Sequence, residues 1–243
     1  ISKTPTNEYF VSLLCKEQYE PFQKTGKQVG IDLGIKDQLI TSDGIKYKNN
    51  KYFKKYERKL ANVQKHLSKK KNGSNRYEKQ RLKVAKLYRK ITNSRVDNLH
   101  KISNSLVKQY DVICIEDLNV KGMIKNPKLS KAIQDISWGK LISFLEYKCN
   151  YNDKSLIKIN RFFPSSKTCY SCGTINSSLQ LNDREWVCGR CGEIHDRDIN
   201  AAKNILKQGL TIITSSGSGD YTRGAQISLK VEKQRAQALK REA

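Results

Sequence analysis

Four cysteines constrain this chain more than any other feature. Cys169-x-x-Cys172 and Cys188-x-x-Cys191 are separated by 15 residues, and each pair runs into a glycine, as CYSCG and CGRCG. A two-residue spacer lets both thiolates of a pair face one ion, and the second pair completes a tetrahedral all-sulfur set, the coordination that suits zinc. Free thiols or an iron–sulfur cluster are the rival readings. The glycines free each turn to bring backbone N–H groups toward sulfur. Four thiolates saturate the ion, so the site has no open position for a catalytic water, and His195 is not needed as a ligand. A module this short builds no core of its own, and the metal supplies its folding energy. It reads as a rigid insert or as a nucleic-acid-contacting knuckle, helped by Lys167, Arg184 and Arg190. The other three of the seven cysteines, Cys15, Cys114 and Cys149, stand alone in apolar or helical patterns and read as small core residues. An odd count with no secretion signal fits a reducing, intracellular compartment, where paired cysteines bind metal.

Charge narrows the partner. The 243 residues carry 47 Lys and Arg against 23 Asp and Glu, a formal net charge of +24. An excess of this size points to a polyanion, because each neutralised phosphate releases a counterion. A ribosome-type structural protein or a basic membrane-surface protein would share the excess. No apolar run approaches the roughly 18 residues of a membrane span, so no membrane partner is expected, and oligomeric state is not legible. Met123 is the sole methionine and the chain opens at Ile1 inside a strand-like pattern, which reads as a fragment or a processed chain.

Strand-like stretches occupy 8–15, 28–33 and 37–47, the last as two short strands about a Ser-Asp-Gly turn. From Tyr52 apolar residues recur every three or four positions, Gly73 interrupts, and a second helical stripe follows, predicting a long helical hairpin over 51–110. Residues 51–90 carry 16 Lys and Arg but 2 acids. Such a run is usually a solvated helix face, but this imbalance predicts backbone contact with nucleic acid through Lys54, Lys55, Arg58, Lys69, Lys70, Lys71, Arg76 and Arg81, with Lys167 and Arg190 added from the cysteine module. A continuous apolar run, 111–118, suits a central strand buried on both faces. A loop over 119–130, a helix over 131–150, a strand over 155–159, the cysteine segment and a helix over 199–208 complete the plan. The basic tail from 209 to 243 is expected to be poorly ordered.

Three acids are conspicuous in this pattern. Asp32 lies in "VGIDLG" and Glu116 in "VICIEDL", each inside or at the end of an apolar strand, and Asp198 opens a helix in "HDRDINAAKNI". A carboxylate in an apolar strand is expensive unless paired or metal-bound. Singly, Asp32 could accept a backbone N–H, Glu116 could pair with a lysine, and Asp198 could cap its helix. Together, oxygen ligands at strand ends and a helix start can converge on hard cations such as Mg2+. Two such ions roughly 3.5–4 Å apart would activate a water and stabilise the leaving oxygen of a phosphodiester. Alternation puts Asp117 on the opposite strand face from Glu116; Asp37 and Asp43 sit in turn-like contexts; and residue chemistry alone does not rank Asp196 against Asp198. Ser/His/Asp patterns, phosphate-binding glycine loops and H-E-x-x-H are absent.

The segments "GIDLGIKDQLITSDG", "VICIEDLNVKGM", the knuckle led by "RFFPSSKTC", and "HDRDINAAKNI" together resemble, in order, the signatures of TnpB, the OrfB-type transposon-encoded RNA-guided DNA nuclease ancestral to type V CRISPR effectors. The resemblance covers roughly residues 1–225. It implies an α/β, RNase H-like (RuvC-like) nuclease fold with a helical hairpin insertion and a four-cysteine zinc-ribbon insert. It implies one structural Zn2+ on Cys169, Cys172, Cys188 and Cys191, and catalytic Mg2+, two ions, on Asp32, Glu116 and Asp198. The family's Asp-x-Asn-Ala motif selects Asp198 over Asp196 and makes Asn200 a supporting residue beside the metals, unless it is only a first-turn helix residue. Guide RNA and target DNA are the implied partners. The implied domains are a remnant of an N-terminal β-rich domain at 1–17, the nuclease domain at 18–160 and 196–208, the zinc insert at 161–195 and the tail. Full-length members carry a β-rich and a helical domain before the nuclease, of which only the last strand is expected here. A non-catalytic nucleic-acid-binding transposon remnant or regulator is the alternative, and a guide-independent transposase or resolvase a third reading.

Overall fold

The computed structural model describes residues 1–16, 19–180 and 182–215. The chain opens with a small antiparallel hairpin, β1 (Ser2–Lys3) and β2 (Tyr9–Phe10), turned at Asn7. The expected strand over 8–15 shrinks to those two residues of β2. Among the described residues no strand pairs with the stretch just past Phe10, and Val11, Leu13 and Leu14 are exposed. Cys15 is likewise exposed and not the core residue anticipated, whereas Cys114 and Cys149 are buried as expected.

The core is a mixed five-stranded sheet. It contains β3 (Gln28–Asp32), β4 (Asp37–Thr41), β5 (Lys46–Lys48), β6 (Val112–Glu116) and β7 (Ser155–Ile159), in the order β5-β4-β3-β6-β7. The β3, β4 and β5 strands are antiparallel neighbours, while β3, β6 and β7 run parallel. Between β5 and β6 lies the hairpin of α1 (Tyr52–Ser68) and α2 (Asn75–Gln109). Gly73, at φ 78°, makes the break, and the Ser74 hydroxyl caps α2 by accepting from Tyr77 N at 3.1 Å. Leu60, Leu87 and Ile91 bury the seam between the two helices.

Two helix assignments change. The segment 119–130 is not a loop: Asn119 caps α3 (Val120–Ile124) and Asn126 caps α4 (Pro127–Ile136). Pro127 reads as a breaker, yet it stands at the first turn, where its missing N–H costs nothing. The single helix expected over 131–150 is two, α4 and α5 (Trp138–Tyr151), because Ser137 turns left-handed at φ 60°. After β7 come a short antiparallel pair that sequence reading does not reveal, β8 (Glu185–Val187) and β9 (Ile194–Asp196), and then α6 (Arg197–Ser215).

Each face of the sheet has its own cover. Val29 and Ile31 of β3 and Ile113 and Ile115 of β6 pack with Leu99 and Leu106 of α2 and Leu141 and Leu145 of α5. The other face belongs to α6, with Val112, Cys114 and Ile159 against Ile205. Two glycines let α6 lie flat there. A Cβ on Gly30 would sit 2.0 Å from the Ala202 carbonyl oxygen, and one on Gly209 would sit 2.3 Å from Cys114 Sγ. This corrects the expected helix end: Gly209 is a mid-helix contact surface, and α6 continues to Ser215. The remainder of the expected tail lies outside the described residues. Among the described residues no helix is long and apolar enough to cross a membrane.

Candidate active site

The knuckle is built by two matching turns. Gly173 and Gly192 adopt φ 76° and 73°, and each donates its N–H to the carbonyl of the first cysteine of its pair, at 2.9 and 2.8 Å. The Thr174 hydroxyl and backbone N–H hold the Cys172 thiol down to about 6. All four cysteine Sγ atoms lie within 4.8 Å of one another. The Cys169–Cys191 and Cys172–Cys188 separations are 3.7 and 3.5 Å. A tetrahedron with Zn–S bonds of about 2.3 Å has edges of about 3.8 Å, so the donor set fits one zinc ion. His195 is not the linker residue its position suggests. It is buried, its Nε2 lies 3.0 Å from Cys169 Sγ, and its ring packs on Trp186 at 4.8 Å between centroids.

The acids are assembled by register. Strands β3 and β6 are parallel neighbours with Ile31 opposite Ile115, so Asp32 and Glu116 follow side by side at the C-terminal ends of the two strands. Side chains alternate along a strand. Because Ile31 and Ile115 face α2 and α5, Asp32 and Glu116 face α6, whose first turn carries Asp198. The three carboxylates line one cavity of about 550 Å³. Burial first, then the charges of Glu116 and Asp198, push the Asp32 carboxyl up to about 7, while Arg197 opposes the rise. Burial also raises Glu116, offset by a hydrogen bond from Ser165. Among the described residues only the four cysteines have ligand atoms all within 4.8 Å; the acids surround a wider space. Oxygen donors that repel one another around a common cavity suit a hard divalent cation.

Asp196 and Asp198 separate by partner. Asp196 Oδ1 accepts from Asp198 N and Ile199 N at 3.0 and 3.1 Å, and its Oδ2 meets Lys46 Nζ at 2.7 Å. Asp196 therefore caps α6, the task that the sequence pattern offers to Asp198. Asp198 turns into the cavity, 3.5 Å from Arg184 and from Arg197. Asn200 does not stand beside the acids as expected. Its amide is spent on the knuckle, accepting from Tyr170 N at 3.0 Å and donating to Thr168 O at 2.8 Å. Asp117 faces away, as alternation required, and pairs with Arg161 at 3.2 Å.

Known proteins share both halves of this arrangement. A profile described as "Probable transposase" (OrfB_IS605) matches residues 11–127, and one described as "Cas12f1-like, TNB domain" matches residues 138–205. A "Putative RNA-guided DNA endonuclease" of Streptomyces pristinaespiralis is 43% identical over 98% of this chain and 60% of its own length. The chain thus carries an OrfB-type region followed by a Cas12f1-like TNB region, and it resembles the TnpB-like proteins. The Escherichia coli protein "Putative RNA-guided DNA endonuclease InsQ" is 28% identical to this TnpB-like chain over 85% of it and 55% of the relative. The mimivirus "TnpB-like protein L79" is 32% identical over 56% of the chain and 27% of the relative. The chain thus spans less than two thirds of each of these relatives. The fold matches that in a cryo-EM structure of a Cas12f1-sgRNA-target DNA complex, with TM-score 0.53 and 18% identity over 79% of this chain and 52% of the other.

Two groups of cations stand out. Lys36, Arg161, Lys167, Arg184 and Arg197 line the acidic cavity. Sequence reading assigns Lys167 and Arg184 to the knuckle surface and overlooks the other three. Lys54, Lys55, Arg58, Lys69, Lys71 and Arg76 are exposed on the hairpin and Arg190 on the knuckle, while Lys70 and Arg81 are half-buried. The hairpin cations do not line the acidic cavity. Asp37, a turn residue by its sequence context, begins β4 and lines that cavity too, as does Ser165. The segment "RFFPSSK" before Cys169 is the available signal for Arg161 and Ser165, and by pattern it reads only as the lead into the knuckle.

Proposed function

We propose that this chain is the nuclease portion of a TnpB-like, RNA-guided DNA endonuclease with a RuvC-like core of RNase H type. The parallel β3–β6 register carries the reading: it sets Asp32 beside Glu116 and turns both toward the helix that bears Asp198. In this reading Asp32, Glu116 and Asp198 hold Mg2+, and Cys169, Cys172, Cys188 and Cys191 hold structural Zn2+. Divalent cations held by the acids would supply Lewis-acid activation for phosphodiester hydrolysis. The chain's own groups do the rest. The clustered carboxylates create the negative site, Arg184 and Arg197 hold Asp198 at its edge, and Lys167 and Arg161 offer positive charge to a phosphate backbone entering the cavity. The core spans 18–160 and returns with α6 after the insert at 161–195, while 1–17 belong to a preceding β-rich part.

Guide RNA and target DNA are the proposed partners, supported by the names of the relatives and by the nucleic acids in the Cas12f1 complex. Sequence would be read by base pairing with the guide, and the protein would hold backbones electrostatically. The hairpin's exposed cations fit that task. The test incubates the chain with guide RNA, labelled single-stranded DNA and Mg2+, beside Asp32→Ala. Cleavage by the parent and none by the variant is expected. Cleavage by both would overturn the residue assignment. Binding without cleavage by either would favour a non-catalytic regulator, for which the basic hairpin suffices.

A further inference from the structure

We propose that Ser165 is the positioning residue of Glu116, and that through it the cysteine knuckle sets the geometry of the acidic cavity. The proposal rests on the reading of that cavity as a divalent-cation site. Glu116 is the last residue of β6, at the C-terminal end of the parallel strands, where a free carboxylate would sample several rotamers. The Ser165 hydroxyl donates to Glu116 Oε1 at 2.5 Å, a charge-assisted bond that holds one oxygen and leaves Oε2 unused by it. Ser165 is itself buried, at 6% exposure.

What holds Ser165 is the knuckle's lead-in turn. Ser165 N donates to Phe163 O at 2.8 Å, and Thr168 N donates to Pro164 O at 3.0 Å. From α6, Asn204 Nδ2 donates to Ser165 O at 2.9 Å and to Thr168 O at 2.6 Å. One helical turn earlier, Asn200 grips Thr168 O and Tyr170 N, on either side of Cys169. Both asparagines are nearly inaccessible, at 2% and 3% exposure. A continuous chain of polar contacts therefore runs from the backbone on either side of Cys169, through two buried amides on the helix that carries Asp198, to Ser165 and the carboxylate on β6. Its purpose is not explained by packing: a hydroxyl and two amides buried here serve the relative placement of knuckle, helix and acid. Hydrogen bonds to ligating carboxylates fix ligand orientation in just this way, and losing one typically costs about 10–100-fold in metal affinity or activity.

The test uses the intact zinc-loaded chain and Mn2+ alone as the probe, titrated by calorimetry, with single-stranded DNA cleavage read in parallel. Ser165→Ala is expected to weaken Mn2+ binding about 10–100-fold and to lower kcat by a similar factor, with KM for DNA, Tm and zinc content unchanged. Ser165→Thr, which keeps the hydroxyl, should restore both. Wild-type Mn2+ affinity in Ser165→Ala would overturn the positioning role. So would a loss accompanied by released zinc and not restored by threonine, which would mark a merely structural serine. Wild-type chain that binds no Mn2+ in an Asp32-dependent manner would instead overturn the cation-site reading beneath the proposal.

Discussion

The knuckle and the acidic cavity each gather like-charged groups, and they tolerate the repulsion differently. The knuckle draws its four cysteine sulfurs from residues 169–191, on two tight turns, and closes them to within 4.8 Å. A metal there would neutralise charge and supply folding energy, because the module has little else: among the described residues Leu179 and Trp186 are its buried apolar side chains beside the cysteines. The cavity draws its acids from β3, β6 and α6, and the surrounding fold holds them apart across an open space. There the protein carries the cost: burial first, then the charges of Glu116 and Asp198, push the Asp32 carboxyl up to about 7. A closed site of adjacent ligands is stable only with its ion. An open site of distant ligands is prepared by the fold and keeps room for a substrate.

The largest effect is expected from Cys188→Ser, which attacks the closed site alone. Structural zinc contributes on the order of 10 kcal/mol in small modules, so the knuckle should lose its zinc and the environment of Trp186 should change. Metal analysis and tryptophan fluorescence read both; retention of about one zinc per chain would show that the site is not a four-thiolate one. Gly30→Ala should do the reverse. Its Cβ would collide with the Ala202 carbonyl at 2.0 Å, levering α6 off β3. A stability loss of roughly 3 kcal/mol in denaturant unfolding is expected, with cleavage lost and zinc retained.

Asp32→Asn should separate stability from function. A carboxyl raised above its ordinary value of 3.8 to about 7 favours the folded chain in its protonated form. Its stabilising contribution is complete below pH 3.8 and is lost as pH rises toward about 7. The variant should therefore melt progressively higher than the parent as pH climbs through that window when no divalent ion is added, and should no longer gain stability from Mg2+. Parallel melting curves across that pH range would sink the electrostatic account. Asp196→Ala is the mildest change: losing the cap and the half-exposed pair with Lys46 should cost about 1 kcal/mol in thermal unfolding, with cleavage and zinc retained. Loss of cleavage with an intact fold would mean that the roles of Asp196 and Asp198 have been exchanged.

The cysteine quartet and the helical hairpin were legible because their determinants are local. Spacers, turn glycines and a three-to-four apolar period act within a few residues. The separation of α4 from α5 was not legible, since Ser137 adopts a left-handed turn that its sequence does not announce. Nor was the continuation of α6 past Gly209, because a glycine that ends a helix and one that lets it touch Cys114 look alike until the sheet beneath is known. Asn200 misled for a related reason: its motif placed it near Asp198, but its amide turned toward the knuckle backbone.

Candidate metal ligands can be marked before the chain folds. A carboxylate in an apolar strand is costly unless paired or metal-bound, and two closely spaced cysteine pairs can share one ion; both signals belong to the side chains and their spacing. Which acids meet follows only from the folded arrangement. Register between β3 and β6, and the close approach that Gly30 permits to α6, bring Asp32, Glu116 and Asp198 to one cavity, send Asp196 to a helix cap, and put Ser165 on Glu116. Those outcomes depend on distances between segments far apart in the chain, which no local pattern encodes.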